Sequence, residues 1–164
     1  MARWRLLCLL LLAPALVAAG PSFVGQSAKW YNSNYESVQR VLRSRSDPNV
    51  VPYIQAIGSL YEFREGSIGA EVSPAIGVAL TYHPALMLSW FQAHPTVFEQ
   101  WLERVQFDLL TDYKGTEAKH LERMRVELVA SLRKFESESK DAVIRELAVR
   151  ARKGVELVKV RGIE

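Results

Sequence analysis

Four prolines, each behind a residue suited to the position before a helix, constrain this chain most. They occur as Asp47-Pro48, Ser73-Pro74, His83-Pro84 and His94-Pro95. Proline lacks an N–H and has a fixed φ, so a helix tolerates it in the first turn, where that N–H would be unpaired, and rarely beyond. Each pair therefore predicts a helix start. Pro74, Pro84 and Pro95 lie ten and eleven residues apart, which leaves room for helices of two to three turns.

The segments between these starts carry helical periodicity. From Trp30 to Arg45, the residues Tyr31, Tyr35, Val38 and Leu42 fall on one face, and Val50, Ile54, Ile57 and Tyr61 form the next. Gly66 and Gly69 mark a break. The stretch from Pro74 to Phe91 is apolar on nearly every side, as suits the centre of a fold. Val97, Phe98, Trp101, Leu102, Val105 and Leu109 make an amphipathic helix expected to stop at Lys114-Gly115, with Thr116 capping its successor. Leu121, Met124, Leu128, Leu132 and Phe135 then repeat every three or four residues on a long charged helix. Ser137–Ser139 interrupts it, and Val143, Leu147, Ala151 and Val155 continue the pattern. The alternation over Val155–Val160 admits a short strand.

The fold class that follows is all-α, with six to seven helices, as a compact orthogonal bundle or a short HEAT-like helical stack. Residues 30–164 form the single helical domain, 20–29 a short lead-in, and 1–19 a signal peptide that is cleaved. Arg3 and Arg5 give the leader its positive start, Leu6–Leu16 its apolar middle and Val17-Ala18-Ala19 its small-residue cleavage site. Cleavage is expected after Ala19. The apolar run Leu6–Ala19 contains Pro14 and falls short of the roughly 20 residues a membrane span needs, so export is expected rather than anchoring.

Export changes what the composition means. Cys8 is the only cysteine and leaves with the leader, which excludes disulfides, thiolate metal sites and a cysteine nucleophile from the mature chain. An exported chain without disulfides fits a bacterial periplasm better than an extracellular space, where domains of this size more often carry them. Without Arg3 and Arg5 the chain holds 19 basic and 18 acidic residues, so attraction to nucleic acid is not expected. The charge is uneven: residues 20–113 hold 6 basic and 9 acidic side chains, residues 114–164 hold 13 and 9.

The motifs of phosphate loops, zinc peptidases, serine hydrolases and calcium loops do not occur in the sequence. Ser131-x-x-Lys134 and Ser137-x-x-Lys140 match a catalytic spacing, but on a charged helix face they read as solvated residues. His83 and His94, at the starts of adjacent helices, could converge with Glu99 or Asp108 as an acid–base or metal site; the simpler reading is that both serve the helix ends. His120 shares no spacing with either. Trp30, Tyr31 and Tyr35, and later Trp90, Phe91, Phe98 and Trp101, are core aromatics unless exposed. Arg145, Arg150, Arg152 and Lys153 make a basic face that suits an acidic partner or an anionic membrane surface.

The candidate surface is thus His83, Trp90, His94, Arg145 and Arg150, with no cofactor and no metal expected. Two functions follow. The first is a non-enzymatic interaction module, an adaptor, inhibitor or immunity-type protein, whose partner is another envelope or exported protein. The alternative is a small hydrolase or ligand-binding domain with its site at the His83 and His94 helix ends.

Overall fold

The computed structural model describes residues 21–63 and 68–163, with side chains from residue 28 onward. The predicted leader, its cleavage point after Ala19, and Gly66 lie outside the described residues. Seven helices are described: α1 (Pro21–Arg43), α2 (Val50–Glu62), α3 (Ile68–Tyr82), α4 (Pro84–Ala93), α5 (Pro95–Leu109), α6 (Ala118–Glu138) and α7 (Ala142–Leu157). Two short strands complete them, β1 (Thr111–Asp112) and β2 (Arg161–Gly162), paired in parallel. The helix α1 begins at Pro21, so the stretch read as a lead-in is largely its first turns.

Helix α3 decides the arrangement. It packs against α1, α2, α4, α5 and α6 at once, and α7 returns to cover α4, α5 and α6. A helical stack would let each unit touch only its neighbours, so the all-α fold is a bundle closed around α3. The apolar character of that helix explains its place: Val72, Ala75, Ile76, Val78, Ala79 and Leu80 are all buried. Its neighbours approach closely where side chains are absent. A Cβ on Gly77 would lie 3.0 Å from Leu109 of α5, and one on Gly154 of α7 would lie 2.9 Å from Leu102. The largest fully buried side chains, Trp101, Tyr31, Tyr61, Phe91 and Phe98, fill the space around this axis, with Phe91 5.1 Å from Phe98 and 5.8 Å from Trp101 between ring centres.

Two of the four proline starts are as expected and two are not. Pro84 and Pro95 open α4 and α5 at their first positions. Pro48 lies before α2, which starts at Val50 because the Asp47 carboxylate accepts from the Asn49 N–H at 2.8 Å and makes a turn of Asp47–Asn49. Pro52 is then the proline of the first turn. Pro74 sits inside α3, which already runs from Ile68. Its missing N–H leaves the Ala70 carbonyl without a helical donor, a loss offset by burying Gly69 and Val72 on the turn before it. Gly69 is the second residue of α3, directly after the interval that separates α2 from α3.

The helix ends around α6 were also misplaced by sequence. Helix α5 stops at Leu109 because the following residues turn to pair with β2 instead; the Thr111 hydroxyl donates to the Gln106 carbonyl at 2.9 Å. Gly115, at φ 71, serves the loop beyond. The cap of α6 is not Thr116. It is the buried carboxylate of Asp112 in β1, which accepts from the N–H groups of Glu117 and Ala118 at 2.9 Å and Lys114 at 3.1 Å. Helix α6 does end at Ser137–Ser139, its last residue being Glu138, and Asp141 caps α7 through the Val143 and Ile144 N–H groups. Ile144, Ala148, Ala151 and Val155 form the buried face of α7, with Val143 left exposed.

Asp112 gives a test of this capping. Burial alone would raise its pKa, but the N–H groups of Glu117, Ala118, Lys114 and Gly115 outweigh that and hold it below the usual aspartate range. Its contribution to stability is therefore complete above about pH 4 and is lost as pH falls through the lowered folded value. Asp112→Ala is expected to lower the melting temperature at neutral pH and to speed amide exchange at Glu117 and Ala118 first. Unchanged exchange at those two amides would contradict the assignment.

Candidate functional site

The five candidate residues do not form one site. His83 caps the start of α4 and His94 its end, so the ten-residue helix separates them by about 16 Å at ~1.5 Å per residue. The proposed carboxylates are engaged elsewhere. Glu99 pairs with Arg150, while buried Asp108 accepts from the Tyr61 hydroxyl at 3.1 Å and from Arg104 at 3.0 and 3.1 Å. The convergence needed for an acid–base pair at the two histidines is absent. Among the described residues there is no group of three or more His, Cys, Asp or Glu able to hold a metal.

Trp90 and His94 are brought together, for a structural reason. Their rings stack at 3.9 Å and 12°, and His94 Nδ1 donates to the Trp90 carbonyl at 2.8 Å. His94 therefore closes the end of α4. Neither His83 nor His94 bonds the free N–H groups of the helix it precedes. His83 is buried against the end of α1, and its Nε2 has no hydrogen-bond partner among the described residues.

Burial pushes the His83 imidazole below its ordinary pKa; the charge of Arg45 acts in the same direction, while the backbone of Leu42 and Ser44 partly offsets both. The folded state thus favours the neutral ring. Full stability is expected above the unfolded value of about 6.5, with loss as pH falls through the lower folded value. Urea midpoints measured between about pH 7.5 and 5 should fall less steeply in His83→Gln than in the parent chain; parallel curves would remove His83 as the cause.

Two of the four cations of the basic face, Arg150 and Arg152, are paired with carboxylates of the same bundle. Arg150 pairs with Glu99 on α5 and lies over the Phe98 ring at 5.2 Å. Arg152 joins Glu136 of α6 at 2.7 Å and Glu156 at 2.6 Å, and Arg133 reaches Glu156 at 2.7 Å. Arg145 donates to the Ser139 carbonyl. These cations hold α7 to α5 and α6, with side-chain exposures that make each exposed pair worth about 0–1 kcal/mol. Both catalytic-spacing serines are likewise occupied, Ser131 donating to the Thr81 carbonyl at 2.6 Å and Ser137 to that of Lys134 at 2.7 Å.

Free surface appears elsewhere, beside Asn32–Ser37 of α1 and in two places between helices. Arg43, Thr81, Tyr82, His120, Arg123 and Glu127 line a cleft of about 200 Å³ between α1, α3 and α6. A larger groove of about 610 Å³ runs between the start of α6 and the chain from Glu156 to Gly162. Exposed apolar side chains gather at this end of the bundle: Phe107 (46 %), Tyr113 (58 %), Ile163 (55 %) and Leu157 (84 %). Tyr113 donates to the Phe107 carbonyl at 2.9 Å, and the Arg161 guanidinium lies 5.4 Å from the centre of the Phe107 ring. Of the earlier aromatics, Tyr31 is buried, while Tyr35 is exposed and so is Trp30, whose ring also packs on Tyr53 at 5.9 Å.

Comparison with protein-family models, with curated proteins and with solved structures finds no match for the chain. The geometry alone therefore carries the functional reading. Sequence reasoning passed over the C-terminal groove because its walls come from two segments about 40 residues apart. The one signal was the alternation at the end of the chain, and the strand it forms lies just beyond the stretch Val155–Val160, whose first three residues remain in α7.

Proposed function

We propose that this chain is an exported, non-enzymatic interaction protein of the adaptor, inhibitor or immunity type, acting on another envelope or exported protein, most simply in a periplasm. Export rests on the leader of residues 1–19. The interaction role rests on one observation: exposed Phe107 and Tyr113 are joined by a hydrogen bond, with the Arg161 guanidinium over the Phe107 ring and exposed Ile163 just beyond β2. Aromatic groups left exposed together beside a cation are typical of surfaces that bind other proteins. No helix among the described residues is long and apolar enough to cross a membrane.

Two measurements test the two halves of this reading. Amino-terminal sequencing of the protein recovered from outside the cytoplasm should begin at Gly20; recovery only of the uncut cytoplasmic chain overturns export. A photo-cross-linking residue at Phe107 or Tyr113, in cells, should trap one defined protein that the same probe at exposed Val126 does not. Identical capture at all three positions, or none, overturns the interaction role.

A further inference from the structure

Parallel pairing determines which backbone groups of β2 are used. Thr111 lies opposite Arg161, and the Arg161 N–H donates to the Leu110 carbonyl at 2.9 Å. The N–H and C=O of Arg161 therefore face β1, and those of Val160 and Gly162 face away. Among the described residues no strand lies on that outer side, so β2 presents an open edge. Val160 and Gly162 themselves line the 610 Å³ groove, with the first turns of α6 as its far wall. A Cβ built on Gly162 meets nothing within 4 Å, so the face of β2 at that residue is open.

The charge of the groove selects an occupant. Its two carboxylates are neutralised, Glu122 by Arg125 at 2.6 Å and Glu156 by Arg133 and Arg152. Lys119 and Lys159, also in the lining, have no anionic partner among the described residues. Val158, Val160 and Ala118 supply apolar surface between them. A second copy of β2 is a poor occupant, because antiparallel pairing would bring Lys159 and Arg161 against the same cations of the other chain.

We propose that this groove receives an extended acidic segment of a partner polypeptide, which adds to β2 as a third strand. The segment hydrogen-bonds the outward groups of Val160 and Gly162 and sets its carboxylates against Lys119 and Lys159. Main-chain bonds supply affinity in such an addition, and the alternate side chains supply selectivity. This rests on the interaction-protein reading and names the chemistry of the partner.

The test uses the full mature chain and a fluorescein-labelled decapeptide alternating valine and glutamate, with its valine–lysine counterpart as control. Anisotropy should show the glutamate peptide bound more tightly than the lysine peptide, and more weakly as salt is raised. Gly162→Pro removes one outward N–H and leaves the Arg161 pairing in place; it should weaken binding about tenfold. Lys159→Glu should weaken it comparably, and Gly162→Ala should not. Equal binding of the two peptides, or glutamate-peptide binding indifferent to both Gly162→Pro and Lys159→Glu, overturns the strand site. So does concentration-dependent dimerisation that Gly162→Pro abolishes, since a second copy would then hold the edge. Cross-linking at Phe107 is read separately: a trapped partner alongside a failed peptide test rejects the groove and retains the interaction role.

Discussion

Replacing Trp101 with alanine is expected to lower the unfolding free energy by about 3–5 kcal/mol, the usual cost of emptying a buried indole site. That is a large share of the roughly 5–15 kcal/mol that holds a domain together. Trp101 is fully buried on α5, packs on Phe91 and helps fill the space around α3. Its Nε1 is also buried without a hydrogen-bond partner among the described residues, a polar group taken out of water with no bond in exchange. Trp101→Phe should therefore cost much less than Trp101→Ala, because it removes the unpaired N–H and keeps most of the ring volume. Urea denaturation checks both, with the midpoint falling and the slope unchanged. A loss below about 1 kcal/mol in the alanine variant would mean that α3 and α5 are not packed around this ring.

Gly58→Ala should destabilise the fold by about 1–3 kcal/mol through overpacking, although alanine is the better helix former by about 1 kcal/mol. The clash wins because the added Cβ would stand 2.6 Å from Cζ2 and 2.7 Å from Cδ2 of Trp90, inside a rigid ring rather than at the end of a flexible chain. The ring has little freedom to retreat, since it is stacked on His94 and His94 is bonded to the Trp90 carbonyl. In a Trp90→Leu background, Gly58→Ala should cost far less, and the difference is the coupling between the two sites. Equal costs in both backgrounds would show that Trp90 does not rest on α2. The pair gives Trp90 a structural task, holding α4 against α2 near its end.

Much of the fold was legible residue by residue. The faces Val50, Ile54, Ile57 and Tyr61, or Leu128 and Leu132, are buried as their spacing predicts, because a helix repeats every 3.6 residues whatever it packs against. His-Pro marked two helix starts for an equally local reason. Ser73-Pro74 misled, because the burial of α3 outweighs the loss of one hydrogen bond, and burial is not a local property. Thr116 misled in the same way, since the carboxylate that caps α6 comes from a strand held in place by β2, which lies about 50 residues further along the chain.

The candidate site was less legible for the same physical reason. Histidines one helix apart look adjacent in sequence, but a helix carries its two ends in opposite directions. Arginines 145, 150 and 152 read as a free basic face until their carboxylate or carbonyl partners arrive from α5, α6 and the α6–α7 turn.

Sequence by itself determined the helical class and confined cysteine to one residue, Cys8, both of which depend on residue identity and short-range periodicity. Tertiary structure alone decided that α3 becomes the axis, that Asp112 becomes a cap, and that β2 keeps one edge open beside Lys119 and Lys159. Each of these depends on which distant segment fills a neighbouring volume, and that is set by the packing of the whole chain rather than by any window of it.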